Sequence, residues 1–178
     1  MDFFPIFFDI KNKPCLVVGG GEVATRKAGM LMQSGGLITV VAPELTDTLK
    51  ELAEAGKVTY VAEKFRPEHL GEAVLVIAAT NDRAANEQVS VAAKKLRIPV
   101  NVVDNPDLCS FIMPSVIDRS PLVIAISSGG TSPVLARRLR ERATDAGDTL
   151  QPDPSYLREL NEAYQHFFFH YSATPLLV

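Results

Sequence analysis

Three observations predict an α/β fold in which helices cover both faces of a parallel sheet. Short, wholly apolar, partly β-branched runs recur along the first hundred residues, as strands buried on both faces require. Segments of helical pattern separate them, and that alternation is the mark of parallel strands joined by crossovers. At the first junction Cys15-Leu16-Val17-Val18 stops at Gly19-Gly20-Gly21. From Glu22 the pattern turns helical, with Val23, Ala24, Ala28, Met30, Leu31 and Met32 as its small and apolar positions.

Strand, glycine turn and helix together give weight to a G-x-G-x-x-G/A match at Gly19, Gly21 and Ala24. Gly19 permits the tight turn, Gly21 lets a pyrophosphate approach the backbone, and Ala24 keeps helix and strand close. The helix N-terminus supplies free N–H donors and positive dipole to phosphates. The sheet is thus expected to be Rossmann-like and to bind a dinucleotide. The plainer alternative is a glycine turn that only joins strand to helix.

The remaining elements follow in order. Phe3–Ile10, aromatic-rich and broken by Pro5, is expected to pack across the sheet edge, and residues 11–14 make a turn. The first helix runs from about Val23 to Gln33 and ends at Ser34-Gly35-Gly36. Leu37–Ala42 is the second strand, closed by Pro43, with Glu44 just beyond. An acid at that strand's end binds the adenosine ribose in many dinucleotide folds, but Glu44 equally suits the opening of the next helix. Leu45–Ala55 reads as helix, Val58–Ala62 as strand and Arg66–Leu70 as a short polar turn or helix. Ala73–Ala79 is the most apolar run and is expected to be the central strand. It ends in Thr80-Asn81-Asp82, before a helix over Ala84–Leu96 and a fifth strand, Val100–Val103, ending at Asp104. Ligands of such sheets lie at the carboxyl ends of strands, so Gly19–Gly21, Pro43, Thr80–Asp82 and Asp104 are expected to converge on one crevice. Farther on, Phe111–Pro114 and Leu122–Ile126 read as two paired strands. A hydroxyl- and glycine-rich loop spans Ser127–Pro133, and Val134–Ala143 forms a basic helix with Ser132 as its N-cap.

Composition narrows the function classes. The 178 residues are 47% hydrophobic and 22% charged, enough for a sizeable core. A net charge of −3 gives no reason to expect nucleic acid or an anionic membrane surface. Cys15 and Cys109 make neither a disulfide framework nor a zinc site. The N-terminus carries acids and lacks a basic region, so it is not expected to be a signal peptide, and no apolar run is long enough to span a membrane. A soluble cytoplasmic protein is the expectation.

Few residues suggest chemistry. Asp104, at the mouth of a buried strand with no basic partner nearby in sequence, would be desolvated and suited to general-base or metal-handling work. A turn-capping aspartate explains the Asp-Asn-Pro composition equally well. The loop Ser127–Ser132 suits an anion cradle or a flexible joint. Arg137, Arg138, Arg140 and Arg142 suit substrate carboxylates, although such runs are more often solvated helix faces. His69 lies in a polar turn. His166 and His170 share helical spacing without other ligands, so no fixed metal site is expected.

The strings G-G-G-E-V-A-T-R-K at Gly19–Lys27, A-A-T-N-D at Ala78–Asp82 and N-V-V-D at Asn101–Asp104 resemble the N-terminal module of the siroheme synthase family. So do S-F-I-M-P-S-V-I-D-R-S-P at Ser110–Pro121 and S-S-G-G-T-S-P-V-L-A-R at Ser127–Arg137. The resemblance covers about residues 1 to 143. It implies NAD-dependent oxidation of precorrin-2 to sirohydrochlorin, followed by insertion of ferrous iron, itself a substrate, to give siroheme. It implies NAD contacts at Gly21, Glu22, Val23, Pro43 and Glu44, joining Gly19, Ala24 and Thr80 in the cofactor set. It assigns both chemical steps to Asp104, as base and iron handler. Ser128 matches a loop serine phosphorylated in some members. With Gly129, Thr131 and Arg137 it makes the substrate loop, and the substrate's carboxylates would give the arginines a use. A dehydrogenase without chelatase activity, or a non-catalytic module that binds NAD or tetrapyrrole, are the alternatives.

The resemblance ends before the tail. Tyr156–Tyr171 resembles instead a segment near the end of deoxynucleoside kinases, but the chain has no G-x-x-x-x-G-K-[ST]. The tail reads as a helix with an apolar face, from about residue 150. Residues 1–113 are expected to be the NAD-binding domain, and 114–178 an active-site and dimerisation extension of a homodimer.

Overall fold

The computed structural model describes residues 3–119, 122–129 and 133–145. They fall into two units: one holds everything up to Pro114 together with residues 127–129, the other the remaining strands and the last helix.

In the first unit, strands β1 (Pro14–Val18), β2 (Leu37–Val41), β3 (Thr59–Val61), β4 (Leu75–Ala78) and β5 (Val100–Val102) form one parallel sheet in the order β3-β2-β1-β4-β5. Helices α1 (Glu22–Gln33), α2 (Asp47–Glu54) and α3 (Arg83–Lys95) make connections between successive strands, and Pro67–Leu70 forms a single 3-10 turn. β1 and β4 are buried along nearly their whole length because layers cover both faces, which is why they read as unbroken apolar runs. One layer of core gathers Cys15, Val17, Val40 and Ile77 with Ala24, Ala28 and Leu31 of α1 and Leu49 of α2. The other gathers Leu16, Val18, Val76 and Val102 with Val89 and Ala93 of α3. The most apolar run is therefore interior, but the middle of the sheet is β1: β4 lies between β1 and β5.

Two segments depart from the sequence expectation. Phe111–Pro114 is not a strand. Phe111 and Met113 pack against the α1-side core instead, and β6 begins only after Pro114, at Ser115. The N-terminal aromatics do not cover the sheet edge: Phe4, Ile6 and Phe7 are 79%, 68% and 75% exposed, and only Ile10 of that segment is buried. The β5 edge is already closed from within the chain. Val100 N–H donates to Ser110 Oγ at 2.8 Å, Ser110 N–H to Val100 O at 2.8 Å and Val102 N–H to Cys109 Sγ at 3.1 Å. Side chains stand where a further strand would pair.

In the second unit β6 (Ser115–Arg119) pairs antiparallel with β7 (Leu122–Ile126), and α4 (Pro133–Asp145) packs on this hairpin. Among the described residues Ile117 and Ala136 are its buried apolar ones, while Val116, Val123 and Ile124 remain exposed.

Candidate functional site

The crevice at the carboxyl ends of β1, β2 and β4 is built around three glycines. Gly19 has φ +121°, a conformation side chains rarely adopt, and a Cβ there would stand 2.3 Å from the Ala79 carbonyl oxygen. A Cβ on Gly20 would stand 1.8 Å from the Glu44 carbonyl oxygen. A Cβ on Gly21 would meet nothing within 4 Å. The first two positions hold the turn against its neighbours, and the third leaves open space. Gly19 N–H donates to Val41 O at 2.9 Å and Thr46 N–H to Gly20 O at 2.8 Å. The hydroxyls of Thr25 on α1 and Thr46, the N-cap of α2, bond at 2.8 Å.

Gly21 is the N-cap of α1, and no side chain caps the helix there. The first-turn amides thus keep their hydrogen-bonding capacity and their share of the helix dipole for an anion. They face a cavity of about 880 Å³ lined by Gly19–Val23, Pro43, Glu44, Glu63–Phe65 and Thr80–Asp82, with Ala84, Ala85 and Gln88 of α3. A volume of that size suits a cofactor-sized ligand. The cofactor set Gly19, Gly21, Glu22, Val23, Pro43, Glu44 and Thr80 is brought together here. Ala24 is fully buried in the core and does not line the cavity.

Thr80 is fixed by its neighbours. Its hydroxyl lies 2.8 Å from Asn86 Oδ1, Asn86 Nδ2 donates to the Thr80 carbonyl at 2.9 Å, and Asp82 Oδ1 caps α3 by accepting from Ala84 and Ala85 N–H. Sequence reasoning missed Gly20 and the Glu63–Phe65 segment, although the rule that ligands gather at strand ends would have found the latter just after β3. Glu63 is held by Arg66 Nη2 and by His69 Nε2 at 3.4 Å, and His69 Nδ1 accepts from Arg66 N–H at 3.0 Å. His69 also meets the buried Phe65 ring edge-on, so it is a structural histidine of this wall.

Asp104 corrects the expectation of a single crevice. It follows β5 with φ +57°, its side chain is exposed, and it does not line the cavity. The expected desolvation is absent. Its turn is tied by Val103 N–H to Ala78 O at 2.9 Å, and by the Cys109 thiol, 3.3 Å from both Val102 O and Asn105 O. Its charge acts on a lysine remote from it in sequence. Lys27, half-buried on α1, is pushed below the ordinary lysine pKa first by burial and then by Arg26, and the Asp104 charge draws it back up.

The second candidate loop is partly described. Gly129 has φ +65° and donates its N–H to Ser127 Oγ at 3.1 Å, while Ser128 is half-buried. Arg137 is exposed and pairs with Glu141 at 3.5 Å along α4, as on a solvated helix face. Thr131, the Ser132 cap and the tail from residue 146, with His166 and His170, lie outside the described residues. Among the described residues no group of three or more His, Cys, Asp or Glu is placed to hold a metal, and no helix is long and apolar enough to cross a membrane.

Residues 6–115 match a family described as putative NAD(P)-binding, and residues 119–142 one described as sirohaem biosynthesis protein central. The chain is 61% identical over 146 residues to siroheme synthase of Nitrosospira multiformis, covering 80% of this chain and 31% of that protein. It is 59% identical over 146 residues to siroheme synthase of Nitrosomonas eutropha, covering 80% and 30%. The chain thus spans about a third of the length of the curated relatives it matches. Among solved structures it is similar to SirC, precorrin-2 dehydrogenase, with a TM-score of 0.73 and 28% identity, covering 97% of this chain and 83% of that one.

Proposed function

The chain belongs to the putative NAD(P)-binding family, as the N-terminal module of siroheme synthases, and from that premise we propose that it is an NAD-dependent precorrin-2 dehydrogenase. The observation that carries the reading is the uncapped start of α1 behind Gly21, opening onto the crevice at the strand ends. Its amides suit a pyrophosphate. Glu44 and Glu63 in the same cavity suit ribose hydroxyls and disfavour an additional phosphate, which supports NAD over its phosphorylated form. The bound nicotinamide supplies the hydride acceptor.

The chain's own residues have separate tasks in this reading. Gly21, Glu22 and Val23 receive the phosphates, Pro43 and Glu44 the adenosine end, and Thr80 bounds the crevice on the β4 side. Asp104 is the base that takes the proton as precorrin-2 becomes sirohydrochlorin. Its exposure at the β5 end leaves it reachable by a large flat substrate. The same carboxylate suits the removal of pyrrole protons while ferrous iron, a substrate here, enters the ring. We assign residues 1–113 to cofactor binding and 114–178, with Ser128, Gly129, Thr131 and Arg137, to the substrate side and to homodimer formation. The apolar residues left exposed on the hairpin, Val116 and Val123, support a second copy as their cover, because a two-stranded hairpin needs packing beyond its own strands. Two free thiols suit a reducing compartment, and we place the protein in the cytoplasm. A dehydrogenase without chelatase activity is the second reading, favoured by the likeness to a protein named only for dehydrogenation.

Adding precorrin-2 and NAD to the protein, and then ferrous iron, tests both readings by absorbance. NADH and sirohydrochlorin formation followed by the siroheme spectrum is the expected course. Siroheme absent after NADH formation leaves the second reading, and no NADH with NAD bound sinks both.

A further inference from the structure

Lys27 places a charge where helix packing calls for an apolar group. The buried positions of α1 are Ala24, Ala28 and Leu31, and Lys27 lies three residues from the first and four from the last, on the same face. Its Nζ donates to Met113 Sδ at 3.2 Å, a weak acceptor, and among the described residues its remaining N–H donors have no partner. Among the described residues no carboxylate forms an ion pair with it. The partial burial that depresses its pKa is therefore uncompensated by a contact partner, and the Asp104 charge only partly draws it back up.

We propose that Lys27 is an anion subsite that grips a carboxylate of the substrate beside Asp104. This deepens the reading above and rests on it: the ligand is a carboxylate-bearing tetrapyrrole that meets Asp104 as base. A half-buried ammonium with spare donors attracts a carboxylate more strongly than a fully solvated one does. Two anionic groups could use it, a substrate carboxylate or a cofactor phosphate. Lys27 is absent from the lining of the cofactor crevice, and Met113, which it bonds, packs with Val103, the residue before Asp104, against the same core as α1, which assigns Lys27 to the substrate. Lys27 anchors one rim group, and the ring is thereby held against the base.

Lys27→Met and Lys27→Arg test the assignment, with thermal melting to confirm that each variant is folded. Lys27→Met should raise KM for precorrin-2, and Kd for sirohydrochlorin titrated directly, by about tenfold, as loss of one charge-assisted hydrogen bond predicts. NAD affinity should hold within about twofold of wild type, and Lys27→Arg should recover most of the loss. Unchanged KM and Kd would overturn the proposal. So would a weakened NAD affinity, which transfers the anion to the cofactor, or a fall in kcat at constant KM, which makes Lys27 act through Asp104. The direct titration separates this idea from the reaction itself. If wild type binds sirohydrochlorin without producing NADH, the dehydrogenase reading fails while the variants still decide the subsite. If wild type binds no sirohydrochlorin, the subsite is overturned as well.

Discussion

The crevice around Gly19–Gly21 and the edge at β5 lie on one sheet but offer a ligand different things. In the crevice the main chain is what a ligand would meet: uncapped amides at α1, a turn pressed against Ala79 and Glu44, and a pinned Thr80. Toward the β5 end charged side chains stand instead, Asp104 exposed after the strand and Lys27 half-buried on α1. Backbone recognition demands close fit and tolerates little change in shape. Side-chain recognition tolerates change in shape and fails when a charge is lost. A dehydrogenase has use for both, one to hold a cofactor and one to move a proton.

Substitutions can break that contrast or sharpen it. Asp104→Asn should lower turnover by roughly 100-fold or more, the scale of a lost general base, with NAD affinity and melting temperature held. A comparable loss of NAD binding would erase the distinction between the two regions. Gly20→Ala should destabilise the protein by about 3 kcal/mol, at the upper end of overpacking costs, because its Cβ would strike the main chain of Glu44. Chemical denaturation measures this, and a variant of wild-type stability would show that the turn can relax. Gly21→Ala reverses the pattern. Its Cβ meets nothing within 4 Å and its φ is −85°, so stability should hold, while NAD titration should show a loss of about tenfold as the methyl crowds the phosphates. Asp82→Ala removes the α3 cap and should cost about 1 kcal/mol in stability, with only a small change in NAD affinity.

The contrast also explains what could be read in advance. The glycine turn is legible because strand, turn and helix are consecutive, so local pattern carries the geometry. The inner strands are legible from local pattern too: burial on both faces leaves few polar residues in β1 and β4. Gly20 is not legible, since its constraint comes from a carbonyl twenty-four residues away. Asp104 is legible as a candidate, but not its surroundings, because its exposure and the half-burial of Lys27 depend on how the elements pack. Phe111 to Pro114 misleads for a related reason. An apolar run needs burial, and here a core on the α1 side takes Phe111 and Met113 without any strand pairing. The apolar Phe3–Phe8 segment likewise signals a need for cover without naming what supplies it.

The closure of the β5 edge by Ser110 and Cys109 has a consequence for how such a protein can vary. Many sheets of this kind grow by adding a strand at a free margin. Here the margin is filled by the same short loop that ties down the turn of Asp104, so a newcomer would have to evict the hydroxyl and the thiol. Widening the sheet would release the acid from its seat. The breadth of the scaffold and the placement of its acid are therefore inherited together.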